Sequence, residues 1–191
     1  MAVEHINRKG KKYYLHQGTT KTGKPKYFFS MKNEGTLVTS IPDGFEIYEN
    51  PNAQVFLQRI QPKLITDDEV ATVESGMKKF SSLQYYQINV KKNTIYVYTP
   101  DQNVTNLTRL FSSHPLAEAK YIQNSIAQSI SYSSMLRFVL CDENKRIFQT
   151  ERFCFLGSID DWIDIGSPDT LQKLIEKYVK HLDKESFYEL H

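Results

Sequence analysis

The sequence predicts an α+β fold, in which a small N-terminal β-meander or barrel module precedes a two-layer antiparallel α/β sandwich. Residues up to about position 60 contain strand-like runs and turn signals without helical periodicity. After residue 61, amphipathic helical stripes alternate with pairs of strands, in the order α-β-β-α-β-β-α. The chain has 191 residues, 40% apolar and 24% charged, which is enough to bury a core.

The N-terminal module, residues 1–61, is predicted from a hairpin and two further strands. Two runs rich in Tyr and Phe, residues 11–17 and 25–31, flank a loop of Gly, Pro and Thr that is longer than a two-residue turn. Beyond them, turn signals alternate with strand-like runs at 41–44 (IPDG), 45–48, 49–52 (ENPN) and 53–60.

The second module, residues 62–191, begins with the strongest helix signal. Thr66 and Glu69 have the spacing of a capping box, and Ile65 and Val70 that of a hydrophobic staple. An apolar stripe at helical spacing then continues through Val73, Met77 and Phe80.

Two strand pairs are predicted next, because strand-like runs are joined by short polar turns. The first pair covers residues 84–90 and 94–99, and the second covers residues 134–141 and 146–156. Short turns between neighbouring strands imply antiparallel hairpins.

Three more helices are predicted around these pairs. Apolar stripes indicate a short helix over 103–111 and a longer helix that begins at Pro115. The last helix is predicted to begin at Ser167, with Pro168 at its first position.

The cysteines and the N-terminus bear on localisation. Cys141 and Cys154 are the only cysteines, and each lies in an apolar run, so we expect two buried free thiols in a reducing compartment. No apolar run approaches the roughly 20 residues that span a bilayer, and the N-terminus lacks the apolar segment of a secretory signal. The sequence therefore predicts a cytoplasmic protein without a membrane span.

Charge is distributed unevenly along the chain. Residues 1–32 contain eight Lys and Arg against one acid, a net +7, whereas residues 33–191 contain 16 basic and 21 acidic residues, a net −5. A basic patch raises the affinity for polyanions. Strand alternation also places Tyr14 and His16 on the same face of the first strand, and Phe28 lies on one face of the partner strand. Aromatic rings beside lysines are typical of surfaces that bind single-stranded nucleic acid.

We therefore predict that the hairpin binds nucleic acid or another polyanion. The candidate residues are Lys11, Lys12, Tyr14, His16, Lys21, Lys24, Lys26 and Phe28. The alternative is an ordinary hairpin whose two faces are packed and whose lysines project from edges and loops. Because Arg8 is the only arginine in residues 1–32, binding would be independent of base sequence and sensitive to salt.

A second candidate surface surrounds the only tryptophan. Trp162 lies among Asp160, Asp161 and Asp164 in the stretch SIDDWID, which we predict to be a short helix with Ser158 as its N-cap. An exposed tryptophan among acids would anchor another protein. Asp160, Asp161 and Trp162 are thus candidate partner-binding residues of an adaptor or accessory subunit. The alternatives are a core tryptophan and acids that dock on the basic hairpin of the same chain.

Catalytic patterns are scarce, so the sequence predicts a binding protein without cofactor or metal rather than an enzyme. It contains no phosphate-binding glycine loop, nucleophile elbow or clustered metal ligands. The one set to test, Asp101 with Glu143 and Lys145, has residue types found in metal-dependent nucleases. Ordinary turn chemistry also accounts for Glu143 and Lys145.

The N-terminal module carries a family resemblance. The stretches YYLHQGTTKTGKPKYFFS and IPDGFEIYENPNAQVFLQR, and to a lesser extent the ending SFYEL, resemble a signature of uncharacterised bacterial proteins. The resemblance implies a bacterial-type cytoplasmic protein. It implies no activity and assigns no functional residue.

Overall fold

The computed structural model describes residues 1–112, 119–155 and 157–191. Its mixture of helices and antiparallel sheets confirms the α+β class. The chain divides into two compact units, Met1–Gln61 and Pro62–His191.

The N-terminal unit consists of a meander and a separate hairpin rather than a closed barrel. The meander has the order β1 (Glu4–Ile6), β2 (Lys12–Thr19) and β3 (Pro25–Ser30), and the hairpin joins β4 (Phe45–Glu49) to β5 (Val55–Arg59). The chain after β3 returns beside β2, where the Val38 N–H donates to the Leu15 carbonyl over 2.9 Å.

One face of the meander forms the interior of this unit. Leu15 is completely buried and pairs with Phe29 across β2 and β3. The strand β3 packs on the β4–β5 hairpin, with the rings of Tyr27 and Phe45 6.4 Å apart. Strand alternation therefore turns the neighbouring residues, including His16, to the opposite face.

The C-terminal unit is built on one antiparallel sheet. Its strands follow the spatial order β10-β9-β8-β7-β6, and β11 pairs with another part of β9. The strands are β6 (Gln87–Lys91), β7 (Thr94–Pro100), β8 (Tyr132–Asp142), β9 (Ile147–Cys154), β10 (Asp161–Asp164) and β11 (Asp169–Thr170).

The helices of this unit are α1 (Asp67–Phe80), α2 (Val104–Ser112), α3 (Ala119–Ser129) and α4 (Leu171–Tyr178), and 3₁₀ turns follow at Val179–His181 and Glu185–Phe187. Both reciprocal bonds between Thr66 and Glu69 are present at the start of α1, which confirms the capping box. The helix predicted over 103–111 is confirmed as α2. The predicted start of the next helix at Pro115 lies outside the described residues.

The main core lies between the sheet and the pair α1 and α4. Its most deeply buried members include Val73, Met77, Ile95, Val97, Leu136, Phe138, Phe148, Leu174 and Ile175. The two helices approach closely at Gly76, where a Cβ atom would lie 2.1 Å from Ile175 Cγ2. A smaller core joins Ile126, Ile130 and Tyr132 to Tyr98, which alternation places on the face of the sheet opposite Val97.

A buried arginine attaches the C-terminal residues to the sheet. Arg152 in β9 is only 6% exposed. Its Nε donates to the Leu190 carbonyl over 2.8 Å, and its Nη2 donates to the Tyr188 carbonyl over 3.0 Å. The charge of Arg152 is thus solvated by backbone dipoles.

Two predicted helix starts were wrong, and both errors have the same cause. The last helix begins at Leu171, not at Ser167, because Asp169 and Thr170 pair with β9 as β11. The stretch SIDDWID contains the strand β10 instead of a helix capped by Ser158, because Asp161–Asp164 pair with β9. In each case pairing between distant segments outweighs a local capping signal.

The prediction for the thiols was wrong for one of the two. Cys154 is buried, but Cys141 is exposed, and both are free. The register of β8 and β9 shifts between Leu140 and Asp142, and this bulge leaves Cys141 unpaired and outside the core. Its thiol donates to the Val139 carbonyl over 3.3 Å.

Candidate nucleic-acid interface

The register of β2 and β3 collects the predicted ring residues on one face of the hairpin. Tyr14 pairs with Ser30, His16 with Phe28 and Gly18 with Lys26. Cross-strand partners share a face, so Tyr14, His16, Gly18, Lys26, Phe28 and Ser30 lie together opposite Leu15. This surface is called the ring face below.

Phe28 is the most accessible ring of the ring face. Its side chain is 42% exposed, and it stacks on His16 with ring centroids 5.3 Å apart and ring planes 13° apart. The ring also lies over Gly18, where a Cβ atom would be 3.4 Å from Phe28 Cε1. The Phe28 ring therefore packs on protein groups and still exposes part of its surface to solvent.

His16 is buried, so it cannot serve as the ligand contact that the sequence predicts. It is only 6% exposed, and its Nε2 lies 2.9 Å from the Lys32 carbonyl oxygen. Because a carbonyl oxygen only accepts, His16 Nε2 carries the proton and donates. The role of His16 is thus to fix the orientation of Phe28.

Tyr14 and Lys12 extend the ring face toward the start of β2. Tyr14 is half-buried, and the Lys12 ammonium lies 5.9 Å from its ring centroid. Lys12 also donates to Glu4 Oε2 over 3.0 Å, and this hydrogen bond raises the pKa of Lys12. The charge of Lys12 is therefore already matched by a carboxylate.

The loop between β2 and β3, residues 20–24, is ordered by hydrogen bonds to Thr20. The Thr20 N–H donates to the Lys24 carbonyl over 2.8 Å, and the Lys24 N–H donates to Thr20 Oγ1 over 3.0 Å. Gly23 completes the turn with φ +79°, a conformation that glycine adopts at no steric cost.

Three lysines around this loop are free of carboxylate partners. Lys21, Lys24 and Lys26 are exposed. Within the described ranges, no acidic oxygen lies within 4.0 Å of their ammonium groups. They therefore leave a local positive charge beside Phe28.

Lys11 belongs to the other end of the hairpin. Its N–H donates to Asn7 Oδ1 over 2.8 Å in the turn between β1 and β2. The eight residues of β2 place this turn roughly 25 Å from the loop 20–24 at the usual rise per strand residue. The structure thus divides the predicted lysines into two groups, and the group at the loop adjoins Phe28.

The second candidate surface, around Trp162, lies on the large sheet. Trp162 is half-buried, the Arg137 guanidinium lies 4.3 Å from its ring centroid, and the Phe153 ring meets it edge-on at 5.3 Å. Asp160 and Asp161 are exposed beside it. Trp162 is therefore part of a packed aromatic surface, and the two acids face water.

The nuclease-like set is not assembled. The N–H of Asp101 donates to the carbonyl of Ser131, next to the start of β8, whereas Glu143 and Lys145 follow the end of that strand. The intervening strand has 11 residues and separates Asp101 from Glu143 by roughly 30 Å. In the part of the chain that the structure describes, no three His, Cys, Asp or Glu side chains could hold one metal ion.

Sequence reasoning missed two groups that shape the ring face. Gly18 carried a signal, since a glycine inside a strand often marks close approach of another group. No sequence pattern predicts the contact of the Lys32 carbonyl with His16, because the loop after β3 reaches His16 only in the folded unit.

Comparisons with protein-family models, curated proteins and solved structures find no significant match to this chain. Among the described helices, none is both long enough and apolar enough to cross a membrane.

Proposed function

We propose that the N-terminal unit binds single-stranded nucleic acid, with an unpaired base stacked on Phe28 and the phosphates beside the lysines of loop 20–24. The observation that supports this most directly is a ring that is fixed from behind by His16 yet 42% exposed. Lys21, Lys24 and Lys26, which have no carboxylate partner among the described residues, lie at the same end of the hairpin.

The physical basis is a combination of stacking and charge. A base stacked on an aromatic side chain contributes about 1–3 kcal/mol, whatever the base. Lysine acts on phosphate as a point charge and does not select a base edge. Single strands are therefore preferred to duplexes, in which the base faces are already stacked, and affinity falls as salt is raised.

Fluorescence anisotropy with a labelled oligothymidine tests the role of charge. Replacing Lys21, Lys24 and Lys26 together by Glu should weaken binding strongly at about 50 mM salt, and binding to the unmodified protein should fade toward about 200 mM salt. The matched control replaces Lys145, Lys180 and Lys184 by Glu, which gives the same change in net charge on exposed side chains of the other unit.

The role of the ring is tested by Phe28→Ala against Phe56→Ala. Both phenylalanines belong to the N-terminal unit, and they are 42% and 45% exposed. Phe28→Ala should cost about 1–3 kcal/mol of binding free energy, while Phe56→Ala should leave affinity unchanged. Absence of binding at low salt rejects the proposal. Equal binding of inorganic polyphosphate, which has no bases, rejects the stacking part of it.

A further inference from the structure

The strand β10 forms one edge of the large sheet. The Ile165 N–H donates to the Thr150 carbonyl over 2.9 Å. This bond shows which residues of β10 direct their backbone N–H and C=O groups toward β9. In an antiparallel pair the N–H and C=O groups of alternate residues point away from the partner, and here these residues are Trp162 and Asp164. Within the described ranges, no strand pairs with this side of β10.

The backbone at this edge is accessible to a hydrogen-bonding partner. Among the described residues, the Trp162 N–H has a local partner alone, Asp161 Oδ1 at 2.7 Å. A side chain of the preceding residue can rotate away, so an incoming carbonyl oxygen can replace it. An exposed edge of this kind is a template for another extended segment.

An apolar surface adjoins the same edge. The ring of Phe153 lies 5.3 Å from Trp162 and 4.5 Å from Phe155. Phe155 is 61% exposed and Ile159 is 46% exposed. Apolar side chains of a strand added to β10 would lie on the same face as Trp162 and extend this apolar surface.

The charge of the edge is negative. Asp160, Asp161 and Asp164 are all exposed. Within the described ranges no Lys or Arg nitrogen lies within 4.0 Å of their carboxylates, and the nearby guanidinium of Arg137 is paired with Glu151. The surface therefore combines an open ladder, exposed apolar side chains and uncompensated carboxylates.

We propose that β10 is a docking edge for an extended, basic segment of a partner protein, which adds to the sheet as a further strand. Backbone bonds to Trp162 and Asp164 supply the pairing. By strand alternation, the apolar side chains of the segment lie on the face of Trp162, and its lysines lie on the opposite face beside Asp161. This inference goes beyond nucleic-acid binding, since it concerns a different unit and a ligand of opposite charge.

A second copy of the chain fits this edge poorly. Two β10 strands paired antiparallel about Trp162 would bring Asp164 of one copy opposite Asp160 of the other, and pairing about Asp164 would bring the two Asp164 side chains together. Like charges directly across a pair of strands are destabilising, and short, charged edges limit such self-pairing. The same carboxylates favour a basic segment, because opposite charges across an interface steer and orient association.

The test uses the full chain and a short synthetic peptide of alternating lysine and valine. Trp162 is the only tryptophan, so its fluorescence reports directly on this edge. We expect a saturable change in emission, together with slower exchange of the Trp162 and Asp164 amide hydrogens. Asp161→Lys should weaken binding of the peptide by about tenfold, since it places like charges on the face that carries the peptide's lysines. Glu176→Lys, an equal charge change at an exposed position of α4, should leave the affinity unchanged.

Backbone pairing is tested separately from charge. A peptide with alternate amides N-methylated on its pairing side keeps its lysines and should lose binding, as should Asp164→Pro, which removes one outward N–H without breaking the ladder to β9. The proposal is overturned if Trp162 emission shows no saturable change. It is equally overturned if the N-methylated peptide or a glutamate–valine peptide binds as well. Concentration-dependent self-association that alone protects the Trp162 amide would assign the edge to a second copy instead.

Discussion

Among single residues, two buried threonines show that the contribution of a buried hydroxyl to stability depends on whether it has a hydrogen-bond partner. Thr150 is completely buried, and its Oγ1 has no hydrogen-bond partner among the described residues. Thr94 is 6% exposed, but its Oγ1 donates to Asn93 Oδ1 over 3.3 Å. A buried hydroxyl without a partner carries the cost of its lost hydration.

Replacing Thr150 by Val should therefore stabilise the protein. We expect the free energy of unfolding to rise by about 1 kcal/mol, because the unsatisfied hydroxyl is removed and the shape is kept. Urea denaturation followed by far-UV circular dichroism measures this change. Thr94→Val is the matched control and should destabilise, since it leaves Asn93 without that bond. Loss of stability in Thr150→Val would mean that the hydroxyl has a partner.

At the scale of elements, α1 is fixed at both its middle and its start. Its middle approaches α4 at Gly76, where there is no room for a Cβ atom beside Ile175. Its start is fixed by Glu69, which accepts from the Thr66 N–H over 2.9 Å and from Arg146 Nε over 2.8 Å. The turn between β8 and β9 that carries Arg146 is thereby attached to the capping box.

Gly76→Ala should separate α1 from α4. A methyl group at this position would lie 2.1 Å from Ile175 Cγ2, and forcing extra volume into a packed core typically costs about 1–3 kcal/mol. Thermal denaturation should show a lower midpoint. Ser75→Ala, at the neighbouring exposed position, should have no such effect, because alanine is the better helix former. An unchanged midpoint in Gly76→Ala would contradict the close approach.

The ion pair of Glu69 and Arg146 should make stability depend on pH. Burial alone would raise the pKa of Glu69, but hydrogen bonds from Arg146 and the Thr66 amide lower it below its ordinary value of 4.5. The stabilisation is thus fully present above about pH 4.5 and is lost as the pH falls through the lower folded-state pKa.

Glu69→Gln tests this dependence. The substitution should cost about 1.5–3 kcal/mol at pH 7, the range of hydrogen bonds to charged groups. The difference from the unmodified protein should shrink as the pH falls below 4, as measured by urea midpoints across the acid range. Glu74→Gln, at an exposed position of the same helix, should show no such convergence.

Elements whose signals are local were predictable from the sequence, and those fixed by distant pairing were not. The capping box of Thr66 and Glu69 spans four residues, so it could be recognised directly. The strand β10 has acids that mimic a helix start, and only its pairing with β9 makes it a strand. The ring face shows both cases. Alternation correctly placed Tyr14 with His16, but the burial of His16 depends on a carbonyl 16 residues away.

At the scale of the whole molecule, the two units differ in the sign of their charge. Residues 1–61 contain nine basic and five acidic residues, a net +4, and residues 62–191 contain 15 and 17, a net −2. A net charge of this size acts weakly beyond a Debye length of about 8 Å at physiological salt. Local groups of unpaired lysines should therefore govern polyanion binding more than the total charge.

This expectation can be measured as a salt slope. Each phosphate of a single strand neutralised by a lysine contributes about −0.7 to the slope of log affinity against log salt. Lys24→Gln should therefore make the slope shallower by about 0.7. Lys145→Gln removes the same charge from the other unit and should leave the salt slope unchanged. Equal effects of the two substitutions would show that total charge, not the hairpin, controls binding.

The hydrogen bonds of Arg152 give residues 188–190 a role in the stability of the C-terminal unit. Deleting residues 188–191 would remove both carbonyl oxygens that accept hydrogen bonds from Arg152, which would leave a buried charged group without these partners. Appending a purification tag after His191 would leave both oxygens in place. A truncation that removes both Tyr188 and Leu190 should therefore destabilise the C-terminal unit.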